Sequence, residues 1–423
     1  MRNRRSIVAH LESDYQKPIR DPLWKHIYVS DAVQNLLDAQ PCRQLSRIKQ
    51  LGPAFLVYPG ATHTRLSHSL GVFDIARRVI RRLVQLPDAP EITLDGVRAF
   101  LAAALLHDLG HFPYTHSFKE LPLADHEVLT GTLVQSRPIS GLLRDHMKAD
   151  PQTVAAIVDT TADIAPSGEV AFFRSLLSGA LDPDKLDYLN RDAYFCGVPY
   201  GVQDIDFILS RLRADGNRGI AVDVSGISAV ENILFSKYLM YRAVYWHKTV
   251  RVATAMIKKA VYQALREQVV KPDDLYGLDD DLFFVQFARR DYAAFELIRR
   301  VYDRRLHQVV WDAPFDHGNP LHRQLGGIEA RHRLEEVAAE RIAGRVARRV
   351  PPEWVIIDLP ESISFEVDLA VWDEGRLSNY PDSDTVFSAP VVDGFTRTLR
   401  RIRIMLSPEI ADAVTHPEEL LES

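Results

Sequence analysis

The chain has 423 residues, 46% of them hydrophobic and 26% charged, a composition typical of a globular protein of more than one lobe. Its formal net charge of −6 argues against a dedicated nucleic-acid binder, although local basic patches could still hold phosphates. With two cysteines, no apolar run of bilayer length and no hydrophobic stretch in "MRNRRSIVAHLESDYQK", we expect no disulfide framework, no membrane association and a cytoplasmic location.

Helical periodicity dominates the first 270 residues. The segment "VRAFLAAALL" predicts a helix that starts near Asp95 and Gly96. Its apolar stripe consists of Val97, Phe100, Leu101, Ala104 and Leu105. Further on, "RADGNRGIAVDVSG" predicts a short hairpin, because turn residues separate β-branched alternations. Residues 228–270 then predict a long helical stretch with room for one break.

The pattern changes after Pro272. Two charged segments, "RRDYAAFELIRRVYDRRLHQ" and "IEARHRLEEVAAERIAGRVARRV", predict helices, and "WVIIDLP" and "RIRIMLSP" predict strands. We therefore predict a mainly α protein with a small hairpin. A helical core spans residues 1–270, and a smaller α+β lobe spans residues 271–423.

Chemically distinctive residues are concentrated in "LLHDLGHFPYTH", where a His-Asp pair ends an apolar helix and two more histidines follow. One histidine on an apolar face is usually a core residue, but this density points to a site. The segments "THTRLSHSLGV" and "LDPDKLDYLNRD" could supply partners. An alternative reading makes the second a helix N-terminus, with Asp182 as cap, Pro183 in the first turn, and Asp187 and Asp192 exposed. Two imidazoles and two carboxylates would suit several divalent metals and leave positions open for water and phosphate.

The ordered set "IKQLG", "YPGATHTRLSHSLGV", "HDLGHFPYTH" and "DPDKLDYLNRD" resembles the HD-domain phosphohydrolases, specifically the deoxynucleoside triphosphate triphosphohydrolases, over residues Lys17 to Arg251. The resemblance implies an HD-domain helical core and a divalent metal ion, which could be Mn, Fe, Mg, Co, Ni or Zn. The implied metal ligands are His68, His107, Asp108 and Asp184. It also implies attack at the α-phosphorus, which releases inorganic triphosphate and leaves a deoxynucleoside.

The same resemblance assigns the remaining site residues. The implied catalytic histidine is His111, with His116 and His126 flanking it. Arg65 and Lys185 match phosphate-contacting positions, and Lys237 stands where well-known members carry an arginine. The positions that recognise the sugar are Gln50, Leu51, Tyr188, Asp192 and Tyr245. Tyr245 could equally be helix core, because Val244 and Trp246 flank it.

Two positions depart from the family pattern. Lys119 stands where several members carry an acidic residue three positions after the last histidine of "PYTH", so Asp125 or Glu127 would have to orient the histidines instead. Arg43 and Ser46 occupy positions that hold a guanine nucleotide activator in some members. We therefore expect a different nucleotide activator or none. The expected partners are deoxynucleoside triphosphates and further copies of the chain in a homo-oligomer.

Two other functions remain open. An HD phosphodiesterase or other nucleotide phosphohydrolase is one, but many HD phosphodiesterases carry HDxGK where this chain has "HDLGH". The other is a non-catalytic nucleotide-binding or protein-binding module, against which the intact set of metal ligands argues. Product analysis separates the three functions. A triphosphohydrolase releases triphosphate, a phosphodiesterase releases a nucleoside monophosphate, and a binding module gives no turnover.

Overall fold

Apolar side chains at helical spacing account for most of the secondary structure. A computed structural model describes residues 2–161, 168–216, 218–365 and 367–421, and the fold is mainly α, as predicted. The α-helices are α1 Arg2–Ser13, α2 Asp31–Leu37, α3 Gln40–Leu45, α4 Arg65–Gln85, α5 Leu94–Leu106, α6 His126–Gln135, α7 Ile139–Leu142, α8 Pro151–Val158, α9 Gly168–Leu177, α10 Pro183–Cys196, α11 Ile205–Arg211, α12 Ile227–Met240, α13 Lys248–Arg266, α14 Asp280–Phe283, α15 Glu296–Tyr302, α16 Pro320–Gln324, α17 Ile328–Val346, α18 Ala389–Leu399 and α19 Pro408–Ala411. The strands are β1 Lys17–Asp21, β2 Lys25–Val29, β3 Leu212–Ala214, β4 Ile220–Asp223, β5 Gln308–Pro314, β6 Val355–Asp358, β7 Ala370–Asp373, β8 Arg376–Asn379 and β9 Arg401–Leu406.

Helix α5 lies at the centre of the helical core. It starts at Leu94, one residue before the predicted start, because Thr93 caps it by accepting a hydrogen bond from the Gly96 amide. Its predicted apolar stripe is buried, and so are Ala99 and Ala103 on other faces, since α4, α8 and α9 all pack against it. Small alanines allow these neighbours to approach closely. Helix α10 packs against α4, so the polar segments at the start of α4, the end of α5 and the start of α10 meet.

The predicted hairpin is confirmed as β3 and β4, which pair antiparallel. Strand β4 also pairs in parallel with β7, and β7 pairs antiparallel with β8, so the C-terminal segment completes this sheet. The predicted strands β6 and β9 form a three-stranded antiparallel sheet with β5, in the order β5-β9-β6. Strand β5 and the β1-β2 hairpin near the N-terminus have no clear signal in the sequence and were not predicted.

The long helical stretch is confirmed with one break. Helix α12 continues into a π-helical turn, Tyr241–Tyr245, and α13 begins after Trp246 and His247. One face of α13 belongs to a hydrophobic cluster with Ile356 and Met405 of the C-terminal sheet. The boundary at residues 270/271 stays a prediction, and α13 and the β4-β7 pair both connect the two parts across it. Within the described ranges, no helix combines the length and apolarity that a bilayer crossing requires.

Candidate active site

The first turn of α4 carries His68. Thr64 and Ser67 form a capping box, in which each side chain accepts from the other residue's backbone amide, and this fixes where the helix starts. His68 is fully buried, with Nδ1 2.8 Å from Asp187 Oδ2 and Nε2 3.0 Å from Asp184 Oδ1. Burial lowers the pKa of His68, but its hydrogen bonds to the two carboxylates outweigh that and raise the pKa to about 10. This position therefore favours a bound cation, either a proton or a metal.

His107 follows α5 directly, and its ring is oriented by the helix. Nδ1 lies 3.0 Å from the Ala104 carbonyl oxygen, so this nitrogen carries the proton. Nε2 then has a free lone pair. It is buried, it has no hydrogen-bond partner, and it lies 3.4 Å from Asp108 Oδ1 and 3.8 Å from Asp184 Oδ1. An unpaired buried acceptor among carboxylates fits a metal ligand.

Asp108 lies between the predicted ligands His68, His107 and Asp184, here called the metal-ligand group, and a neighbouring group of histidines. Its Oδ2 accepts a hydrogen bond from Arg65 Nη1 at 2.8 Å and lies 4.0 Å from His68 Nε2, and its Oδ1 lies 3.1 Å from His111 Nδ1. Burial raises the pKa of Asp108, but the surrounding histidines and Arg65 reverse this and hold it well below its usual value. The carboxylate is therefore ionised.

The structure thus brings the four predicted metal ligands together from three helices. Ligand atoms of His68, His107 and Asp184 lie within 4.8 Å of one another, and Asp108 borders the group. Two imidazoles with two carboxylates could hold a divalent metal ion, as the chemistry of the donor set predicts.

Behind His68 lies a buried polar network that the sequence analysis missed. Asp187 accepts hydrogen bonds from His68 Nδ1, the Trp24 indole, and Arg191 Nε and Nη2, the last two at 2.8 and 3.0 Å. Arg191 Nη1 in turn donates to Asp21 Oδ2 at 2.8 Å. An aspartate and an arginine at i and i+4 of α10 were the sequence signal for this pair. Asp187 holds the ring of His68 with Nε2 toward Asp184.

The alternative reading of α10 as a plain helix N-terminus was half right. Asp182 caps the helix and Pro183 occupies its first turn, as predicted. The predicted exposure of Asp187 and Asp192 was wrong, because their exposed fractions are 0% and 2%. Gly71 of α4 makes room for the buried charge, since a Cβ there would lie 1.8 Å from Asp187 Oδ1.

A second group of histidines adjoins the metal-ligand group. The ring of His111 lies next to those of His126 and His116, with centroids 4.1 and 4.9 Å away, and His111 Nε2 is 3.2 Å from His116 Nε2. Asp125 Oδ1 lies 2.7 Å from His126 Nδ1, so Asp125 contacts one of the three histidines, and its role in place of the missing acid stays a prediction. Burial, followed by the charge of Arg65, lowers the pKa of His111 well below its usual value. This ring is therefore neutral near neutral pH.

The predicted sugar-recognition residues form a chain of contacts. Asp192 accepts hydrogen bonds from His63 Nε2 at 2.8 Å and from the Tyr245 hydroxyl at 2.6 Å. The Tyr188 and Tyr245 rings meet edge to face with centroids 6.4 Å apart. The backbone amide of Gln50 donates to the His63 carbonyl oxygen at 3.0 Å. The next residue, Leu51, is partly buried. Tyr245 is thus tied to a buried carboxylate, and it is no mere packing residue of the helix core.

The predicted phosphate-contacting residues differ in their placement. Arg65 borders the metal-ligand group, and its buried Nε has no hydrogen-bond partner. The Lys185 ammonium donates to Asp182 Oδ2 at 2.6 Å and to the Gly179 carbonyl oxygen. The Lys237 ammonium donates to the Ser364 carbonyl oxygen at 2.8 Å and lies over the Phe365 ring. Lys237 therefore connects α12 to the C-terminal segment.

Comparison with known proteins identifies the family to which the chain belongs. The model of the HD domain matches residues 65–164, and that of the HD associated region matches residues 204–389. The chain is 33% identical over 320 residues to uncharacterized protein YwfO of Bacillus subtilis, covering 70% of this chain and 72% of that one. It is 26% identical over 278 residues to the deoxynucleoside triphosphate triphosphohydrolase SAMHD1 homolog of Dictyostelium discoideum, covering 63% and 54%. The crystal structure of a hypothetical protein from Aquifex aeolicus, 28% identical, matches with a TM-score of 0.72 over 94% of this chain and 98% of that one. The chain therefore belongs to the HD-domain phosphohydrolases, a family of metal-dependent hydrolases.

Proposed function

We propose that the chain hydrolyses deoxynucleoside triphosphates to a deoxynucleoside and inorganic triphosphate. The observation that carries this proposal is the arrangement of Asp184, Tyr188 and Asp192 along α10. At i, i+4 and i+8 they share one face of the helix, about 6 and 12 Å along its axis from the first residue. A nucleotide lying along this face would place its α-phosphate at the metal ligands and its sugar against the tyrosines and Asp192.

The metal, when bound, supplies positive charge at the α-phosphoryl group and lowers the pKa of a bound water. Arg65 adds a second cation beside it, through the guanidinium nitrogen that has no protein partner. A water molecule would bond through its oxygen to the α-phosphorus and release one proton to solvent, while the bond from phosphorus to the 5′-oxygen breaks. The triphosphate and the deoxynucleoside then separate, and the 5′-oxygen must receive a proton.

His111 is placed to deliver that proton, since its Nδ1 is held at Asp108 and its Nε2 faces His116. The lowered pKa of His111 leaves this ring neutral near neutral pH, so it must first gain a proton. The negative charges of a bound triphosphate favour the protonated ring and oppose the effect of Arg65. Substrate binding would thus prepare the acid that the reaction needs.

Discrimination between ribose and deoxyribose would follow from the hydrogen bond between Tyr245 and Asp192. Both oxygens of Asp192 are already hydrogen-bonded, so the carboxylate holds the Tyr245 ring in place. A fixed ring at this point crowds the 2′ side of the sugar and would exclude a ribose hydroxyl. The relative from Dictyostelium discoideum, which is named for this activity, supports the assignment. Assembly into a homo-oligomer, and activation by another nucleotide or by none, stay predictions.

The test compares ribo- and deoxynucleotides in three forms of the protein. We expect the unaltered chain with Mn²⁺ to release triphosphate from dGTP or dATP and to reject GTP and ATP. The preference is the ratio of kcat/KM for the deoxynucleotide to that for the ribonucleotide. Tyr245→Ala should reduce it by an amount equivalent to about 1–3 kcal/mol, the range for a modest change in pocket fit. Tyr245→Phe keeps the ring but loses the hydroxyl that bonds to Asp192, so its preference should fall between those of the unaltered chain and Tyr245→Ala. Equal rates on both sugars, or release of a nucleoside monophosphate, would favour the phosphodiesterase or general phosphohydrolase alternative.

A further inference from the structure

Three histidines beside the metal-ligand group are arranged as a ligand set of their own. One ring nitrogen of each of His111, His116 and His126 lies within 4.8 Å of the others. We propose that these three imidazoles bind a second divalent ion of the zinc class, independently of the metal held by His68, His107, Asp108 and Asp184.

The spacing of two of these nitrogens matches a tetrahedral site. With zinc–nitrogen bonds of about 2.0–2.1 Å, two imidazole nitrogens on one ion lie about 3.4 Å apart. His111 Nε2 and His116 Nε2 are 3.2 Å apart. The same spacing allows one ring to donate a hydrogen bond to the other, so an ion would replace the shared proton. The His126 ring lies against both, with centroids 4.1 and 5.2 Å away.

Two of the three rings are also oriented as metal-binding histidines usually are. Such a ring donates its far N–H to a carboxylate or a backbone carbonyl, which fixes the tautomer and strengthens the ligand. His111 Nδ1 bonds to the Asp108 carbonyl oxygen at 3.2 Å, and His126 Nδ1 lies 2.7 Å from Asp125 Oδ1. Both rings therefore keep Nε2 available. His116 is exposed, so an ion can enter from solvent.

The donor set indicates which ion would bind. Three imidazoles without a coordinating carboxylate suit Zn²⁺, Ni²⁺ or Cu²⁺, whereas Mg²⁺ and Mn²⁺ prefer oxygen ligands. The neighbouring group, together with Asp108, contains two aspartates and accepts a wider range of metals. The two sites should therefore be separable by the choice of ion.

The proposed site has a consequence that rests on the proposed function. An ion on His111 Nε2 occupies the lone pair that would otherwise carry the proton to the leaving 5′-oxygen. Zn²⁺ beyond the first equivalent would therefore inhibit the enzyme. The binding itself does not depend on the reaction.

Metal stoichiometry tests the site. The full chain is stripped with a chelator, then titrated calorimetrically with Zn²⁺ alone or Mn²⁺ alone, and the bound metal is measured after dialysis. We expect two equivalents of Zn²⁺ but one of Mn²⁺. His116→Asn and His126→Asn should each bind one Zn²⁺. Asp125→Asn should keep two but bind one of them about 10–100-fold more weakly. His146→Asn, an exposed histidine elsewhere, is the matched control and should bind two.

The one Zn²⁺ that remains in the altered chains also reports that they are folded. His68→Asn should also bind one Zn²⁺, because it loses the ion at the metal-ligand group and keeps the ion at the three-histidine site. A single equivalent of Zn²⁺ in the unaltered chain overturns the proposal, and so do two equivalents in either His116→Asn or His126→Asn. If the chain binds two equivalents of Zn²⁺ but hydrolyses no deoxynucleoside triphosphate with Mn²⁺, the proposed function is wrong and the three-histidine site stands.

Discussion

Replacement of Asp187 by asparagine tests how the metal-ligand group is held in place. The carboxylate is fully buried and accepts from His68, Trp24 and Arg191. Asparagine has nearly the same shape, but it is uncharged and its amide presents donors where the neighbours are also donors. His68 thereby loses the negative charge behind its ring and keeps at best a neutral amide oxygen as acceptor, and Arg191 keeps only Asp21 as an ionic partner.

Two magnitudes follow from these contacts. Loss of a carboxylate behind a metal-binding histidine weakens metal binding about 10–100-fold. Removing one partner of a buried ion pair costs about 3–5 kcal/mol in the free energy of unfolding, because the other charge stays buried. We therefore expect Asp187→Asn to weaken Mn²⁺ binding in calorimetry and to lower the urea midpoint.

The matched control is Asp21→Asn, which removes the other partner of Arg191 and leaves the contact between His68 and Asp187. It should lower the urea midpoint as well, with Mn²⁺ affinity near that of the unaltered chain. The reasoning fails if Asp187→Asn binds Mn²⁺ as tightly as the unaltered chain. It also fails if Asp21→Asn weakens the metal to the same extent, since the effect would then be general loosening of the core.

Three further predictions concern separate parts of the molecule. His111→Asn should keep Mn²⁺ and a non-hydrolysable analogue bound but reduce kcat about 10²–10⁴-fold, and loss of analogue binding would make it a structural residue. Gly71→Ala should cost about 1–3 kcal/mol in urea unfolding, because its Cβ overlaps Asp187 Oδ1, whereas Gly141→Ala, which meets no atom within 4 Å, should not. Burial lowers the pKa of His307 to about 4, so between pH 4 and its ordinary value of 6.5 the unfolded chain binds more protons. His307 should therefore contribute about 3 kcal/mol to the rise in the free energy of unfolding across that range. In His307→Gln the rise should be smaller by that amount, and an unchanged rise would refute the reasoning.

The parts of the site that are local in sequence could be predicted from the sequence. His107 and Asp108 are adjacent, and His111 follows three residues later in the turn after α5, where its amide donates to the Asp108 carbonyl oxygen. The chain after α5 therefore places all three together whatever else packs around it. Apolar periodicity likewise predicted α5 and the α12–α13 stretch, because helical hydrogen bonds join residues close in the chain. The resemblance to the HD-domain phosphohydrolases then supplied the distant partners that periodicity cannot.

What only the tertiary structure decided are contacts between distant segments. The burial of Asp187 depends on Trp24 from the N-terminal hairpin and on the space above Gly71, neither of which any pattern in α10 reveals. Lys237, predicted at the phosphates, instead contacts Ser364 because the C-terminal segment passes its end of α12. Strand β4 likewise pairs in parallel with β7, which lies far along the chain. Such pairings depend on which surfaces meet once the helices have packed, whereas a motif specifies only its own few residues.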